Sequence, residues 1–95
     1  MSRPRQTKES RDAAAKDAFR LEVKIQRLHL DMTQGELADC ADMDRSVMSR
    51  FLADPDKFTI GRMRKIIHAL DLSPLTILAL LGYEPRVIQN INKEN

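Results

Sequence analysis

The amino-acid sequence predicts an all-α protein, a compact bundle of about five helices, and three observations carry that expectation. Apolar residues recur at three- and four-residue spacing in successive segments, and no segment ahead of the tail alternates convincingly enough to propose a sheet. Residues suited to capping helix N-termini precede those segments at Ser10, Thr33, Asp44, Thr59 and Ser73. The composition is that of a folded globular chain: 95 residues, one domain's worth, 42% hydrophobic and 32% charged. Aromatic residues make up only 4%, so the core must rest on Leu, Ile, Val, Met and Ala.

The elements follow in order. Residues 1–9, "MSRPRQTKE", hold Pro4 and four charged side chains without apolar periodicity, and read as a flexible basic arm. Ser10 is the expected cap of a first helix, "RDAAAKDAFRLEVKIQRLHL", which contains neither Gly nor Pro. On that helix Ala15, Phe19 and Val23 share one face and Leu21, Ile25 and Leu28 lie nearly opposite. Such a helix is buried on two sides or serves an interface; the simpler expectation is a C-terminal half packed deep in the core. Thr33-Gln34-Gly35-Glu36 is a capping box that opens a short second helix, with Leu37, Ala38 and Ala41 pointing inward. Asp44 caps the third, on which Met48, Phe51 and Leu52 form an apolar edge and Arg45, Ser46, Ser49 and Arg50 share the other side. Asp54-Pro55 ends it. Thr59 caps the fourth, with Ile60, Met63, Ile66 or Ile67, and Leu70 at core spacing. Ser73-Pro74 begins the fifth, whose apolar residues are Leu75, Ile77, Leu78 and Leu81, with Gly82 where a left-handed C-cap belongs. The tail, residues 83–95, carries a β-flavoured "RVIQNI".

Charge is segregated along the chain although the net value is only +2. Residues 1–27 come to +4, residues 28–44 to −5 with no Lys or Arg at all, residues 45–65 to +4 and residues 66–95 to −1. The ordinary reading is a solvated surface. A protein with one face on phosphate and another clear of it needs the same arrangement. The single Cys40 cannot form an internal disulfide, and no apolar run stands near the N-terminus to serve as a signal peptide. The longest apolar stretch, Leu70–Leu81, contains Asp71, Ser73 and Pro74 and is too short for a membrane span. A cytoplasmic protein without membrane contact is expected.

Two short helices joined by a tight turn, the second polar on its outer side, form a helix-turn-helix. At these residues the chain resembles a known family. "TQGELADCADMDRSVMSRF" looks like the Cro and phage-repressor, or XRE-type, DNA-binding domains, and "FTIGRMRKIIHALDLSP" continues the likeness through that family's fourth helix and Ser-capped fifth. The resemblance spans about residues 20 to 82 and implies a lambda-repressor-like domain, here bounded at residues 10–82. Asp42 stands where the family has its turn glycine, and Asp31 where a glycine usually precedes the second helix. Both positions serve positive φ, which Asp tolerates better than most residues. Gln26 falls where the family usually has a core Leu.

A recognition helix that enters the major groove presents its N-terminal turns to base edges and needs no acid among them. Arg45 and Ser46 begin this helix, with Ser49 and Arg50 a turn further on. Arg grips guanine O6 and N7 with two hydrogen bonds, Ser bonds to several bases, and Val47 suits a thymine methyl. Gln34, beside Thr33 at the start of the second helix, is placed to meet phosphate or brace a recognition side chain. Lys57, Thr59 and Arg62 would hold the backbone on the other side. Arg50 has an alternative, pairing with an acid such as Asp54, and Arg62, Arg64 and Lys65 have one in an ordinary solvated face. Glu36, Asp39 and Asp42 lie away from phosphate; in the family such a patch can touch RNA polymerase.

Other chemistry finds little support. His29 and His68 sit on separate helices without zinc-like spacing, Cys40 has no neighbouring His, and no glycine-rich phosphate loop is present. Neither an enzyme nor a cofactor or metal is expected. The leading expectation is a transcriptional regulator, repressor-like, that binds double-stranded DNA as a homodimer on a palindromic operator, with the tail, helix 5 or helix 1 as dimer contact. A second is an antitoxin: "DKFTI" and the long first helix resemble antitoxins with this DNA-binding domain, and residues 3–20 would wrap a toxin protein. A third is a helical adaptor without DNA binding, which would be sensitive to changes at Leu21 or Ile25 rather than at Arg45.

Overall fold

A computed structural model describes residues 7–84. The expectations for most of the basic arm, residues 1–6, and for the tail segment 85–95 lie outside the described residues. Five α-helices and no strand occur among the described residues, as the all-α class requires. They are α1 (Lys8–His29), α2 (Gln34–Cys40), α3 (Arg45–Ala53), α4 (Ile60–Ala69) and α5 (Pro74–Leu80), with a 3-10 turn over Pro55–Lys57. Contacts divide the described residues into two compact units, one made of residues 7–19 with 73–84 and the other of Arg20–Leu72.

The larger unit holds the end of α1, then α2, α3 and α4. Val23, Leu37, Ala38, Ala41, Met43, Met48, Phe51, Ile66, Leu70 and Leu72 form its buried apolar residues. Among the described residues no polar or charged side chain is buried, so apolar burial does the holding. Arg20 donates through Nη1 to the carbonyls of Leu52 (3.2 Å) and Ala53 (3.3 Å), satisfying acceptors that the C-terminus of α3 leaves open. Arg27 donates through Nη1 to the Met32 carbonyl, in the connection between α1 and α2, at 3.1 Å.

Two helices of this unit end in the same way. After α1, Asp31 takes φ 52°, its N–H bonds the Leu28 carbonyl, and the Met32 N–H bonds that of Arg27. After α2, Asp42 takes φ 59°, its N–H bonds the Asp39 carbonyl, and the Met43 N–H bonds that of Ala38. These are Schellman closures with aspartate in the left-handed position that glycine normally holds. The positive φ expected at Asp31 and Asp42 is therefore present.

The smaller unit contains the start of α1 and all of α5. Ser73 caps α5 by accepting from the Leu75 N–H, Pro74 occupies the first turn, and Gly82 closes the helix at φ 100°. The Gly82 and Tyr83 N–H groups bond Ala79 and Leu78, completing a third closure of the Schellman type. Arg11 and Glu84 form an exposed ion pair at 3.7 Å.

Three expectations need correction. The first helix starts at Lys8 rather than after Ser10: the Thr7 hydroxyl accepts from the Ser10 N–H at 3.0 Å, so Lys8 and Glu9 belong to the helix and not to the arm. The second apolar face of α1 is not packed in a core, since Leu21, Ile25 and Leu28 are all exposed, Leu28 by 61%. Ile60 is no core residue either. It sits in the first turn of α4, 73% exposed, while Ile66 and Leu70 take the buried positions further along.

Candidate nucleic-acid interface

The helix-turn-helix is built from local bonds outward. In the capping box of α2 the Thr33 hydroxyl accepts from the Glu36 N–H, and the Glu36 carboxylate accepts from the Thr33 N–H, each at 3.1 Å. The backbone bond, with the hydroxyl bond behind it, holds the Glu36 carboxyl below the usual glutamate range. The left-handed Asp42 then reverses the chain within a few residues, and Met48 N–H bonds the Asp44 carbonyl to start α3. Asp44 occupies the capping position expected of it, but its carboxylate makes no cap hydrogen bond. Ala38 and Met48 are both fully buried, and α2 packs on α3. Ala38 brings little volume to this packing, which favours close approach of the two backbones.

That packing leaves one side of α3 outside. Met48 and Phe51 are buried, while Arg45, Ser46, Ser49 and Arg50 are exposed and Val47 is half-buried. Arg50 does not pair with Asp54. Its Nε donates to the Ser46 carbonyl at 3.3 Å, and the Asp54 carboxylate instead accepts from the Asp56 N–H. Arg45 makes no hydrogen bond or ion pair among the described residues, and its guanidinium lies against Gly35 of α2. Gln34, next to that glycine, is half-buried, and Thr33 is exposed with its hydroxyl engaged in the cap.

A shallow cleft of about 290 Å³ adjoins α3, lined by Val47, Arg50, Phe51, Lys57, Phe58 and Arg62. Four of the residues singled out from sequence thus meet in one place, three of them cationic, and no carboxylate lines it. Its floor depends on Phe58, which stacks on Phe51. Phe58 was not singled out in the sequence; the only signal for it is an aromatic residue inside a loop of a chain that has few. Thr59 stands beside the cleft rather than in it, its hydroxyl capping α4 by accepting from the Arg62 N–H at 3.2 Å. The cleft cations and the Arg45–Gly35 contact are separate features: the structure brings Arg50, Lys57 and Arg62 together, and sets Arg45 against α2.

The acidic side is equally plain. Glu36, Asp39 and Asp42 are exposed, and Asp42 pairs with Lys65 at 3.3 Å, so Lys65 belongs to an ordinary solvated face. Cys40, Asp42, Lys65 and His68 line a second shallow cavity of about 260 Å³. No group of three or more His, Cys, Asp or Glu placed to hold a metal ion occurs among the described residues. No described helix is long and apolar enough to cross a membrane.

Compared with known proteins, the chain matches no protein-family model, no curated protein and no solved structure. The likeness noted over residues 20 to 82 stands on those residues alone.

Proposed function

We propose that this protein is a sequence-specific DNA-binding transcriptional regulator of the repressor kind, acting in the cytoplasm as a homodimer on a palindromic operator. One observation carries the proposal: α3 buries Met48 and Phe51 and turns Arg45, Ser46, Ser49 and Arg50 to solvent with no acid among them. Nine residues make a rod about 14 Å long. Its diameter with side chains, about 10–12 Å, fits a major groove about 12 Å wide.

In that reading Arg45 and Ser46 meet base edges first. The Arg45 guanidinium keeps all its donors for guanine O6 and N7, the exposed Ser49 follows about one turn along the same side of the helix, and the half-buried Val47, at the edge of the cleft, suits a thymine methyl. Arg50, Lys57 and Arg62 meet phosphates, which sets affinity and register but reads no sequence. Thr33 and Gln34 flank the groove from the start of α2. One such helix reads only a few base pairs, so two copies on half-sites about one helical turn apart give a useful operator. Selection of bound duplexes from a random pool tests this. The intact chain should enrich an inverted repeat and Arg45→Ala should flatten it at one base pair per half-site; a pool left unenriched would refute the reading.

A second reading is favoured by a different observation. Leu21, Ile25 and Leu28 leave an apolar stripe of α1 exposed, which suits a protein partner. An antitoxin that covers its toxin through α1 and represses its own operon would use both surfaces. Co-expression with the product of an adjacent small gene distinguishes the two: an antitoxin restores growth, and Leu21→Asp abolishes the rescue without altering the selected duplex. For a simple regulator no growth effect exists to be rescued.

A further inference from the structure

Gly35 raises a question that its backbone does not answer. Its φ is not positive, since Gly82 supplies the positive-φ glycine among the described residues. Inside the first turn of a helix, glycine is a poorer choice than alanine. No conformational demand keeps a side chain off this position. Space does: a Cβ built on Gly35 would lie 2.6 Å from Nε, 2.7 Å from Nη2 and 2.8 Å from Cζ of Arg45. The Arg45 guanidinium occupies the volume that any side chain at residue 35 would fill.

We propose that Gly35 is the positioning residue for Arg45: its missing side chain forms a seat on α2 that sets the direction in which the guanidinium leaves α3, and thereby which base Arg45 reads. The inference rests on the DNA-reading proposal and deepens it. An arginine has a long flexible stem that samples many rotamers unless packing restricts them. Arg45 makes no hydrogen bond or ion pair among the described residues, so contact with Gly35 is what restricts it. A bidentate grip on guanine requires both N–H vectors to be aimed within tens of degrees. A seat on a neighbouring helix supplies that aim before DNA arrives.

Gly35→Ala is a mild change for the fold, because the atoms it meets end a flexible side chain. Ordinary contact begins near 3.4 Å, so the guanidinium must withdraw by about 0.8 Å, the difference between 3.4 and 2.6 Å. Two measurements on the full chain test the seat. In the free protein, 15N relaxation of Arg45 Nε should show a restrained guanidinium in the wild type and a faster-moving one in Gly35→Ala, with the thermal midpoint not lowered. Equal mobility in both overturns the seat. In duplex selection, Gly35→Ala should lose about tenfold in preference at the same base pair that Arg45→Ala affects, within the range a bidentate arginine contributes. Wild-type enrichment that Gly35→Ala leaves unchanged also overturns it. Failure of the wild type to enrich any sequence would instead overturn the DNA reading, and the relaxation measurement would still decide whether Gly35 seats Arg45.

Discussion

Met48→Ala tests the packing that aims α3. Met48 is fully buried on the inner side of that helix, and the change removes three heavy atoms, Cγ, Sδ and Cε. At roughly 0.8 kcal/mol per buried methylene-sized group, the lost transfer free energy is about 2.4 kcal/mol. The space left behind adds to it, which puts the expected loss between about 2 and 5 kcal/mol. A 95-residue domain has a total stability of roughly 5–14 kcal/mol, so the variant should still fold at 25 °C. Urea unfolding followed by circular dichroism gives the value, with the midpoint falling and the slope unchanged. Arg45→Ala, three residues earlier on the exposed side, should change stability by no more than about 0.5 kcal/mol. If Met48→Ala cost less than 1 kcal/mol, or if Arg45→Ala cost as much, the assignment of inner and outer sides of α3 would be wrong.

Other outcomes follow from the same geometry. Arg45→Ala should lower discrimination at one base pair by about 1–3 kcal/mol in competition binding. Lys57→Ala should weaken all duplexes alike and reduce the slope of log affinity against log salt by about 0.9. Asp31→Gly relieves a left-handed residue at φ 52° and should raise stability by up to about 1 kcal/mol, read as a thermal midpoint a few degrees higher. The Glu36 carboxyl is held below the usual range in the folded state, so its contribution is present above the unfolded value and is lost as pH falls through the folded one. Urea midpoints measured across acidic pH should show this increment in the wild type. Glu36→Gln, which keeps the hydrogen-bond acceptor without the charge, should lack it.

Much of the local architecture was legible because it is written in short-range chemistry. Thr33 with Glu36, Thr59 ahead of Ile60 and Ser73 ahead of Pro74 each mark a helix start through bonds spanning two or three residues. Asp31 and Asp42 were recognisable as left-handed residues through the resemblance, which has glycines at those two positions, and Asp tolerates positive φ better than most residues. Contacts between elements were harder to see. Periodicity showed that Leu21, Ile25 and Leu28 share a face, yet it cannot say whether anything covers that face, and nothing among the described residues does. Ile60 fits the spacing of Ile66 and Leu70 but lies in a first turn that the core does not reach. Ser10 was a sound cap by type, and Thr7 stood three residues earlier with the same hydroxyl. At the candidate site the outward set Arg45, Ser46, Ser49 and Arg50 was foreseen, and so were the cleft cations. Phe58 on Phe51 and Gly35 under Arg45 were not, because each joins residues whose proximity only the folded chain creates.

The most direct trial of the account sets one side chain against one atom of DNA. On the duplex that selection delivers, single guanines would be replaced by 7-deazaguanine, which lacks the N7 acceptor in the major groove. Wild-type binding should fall sharply at one guanine per half-site, and Arg45→Ala should be indifferent to that same replacement. Equal losses in both proteins, or a wild type indifferent at every guanine, would contradict the claim that α3 reads bases through Arg45.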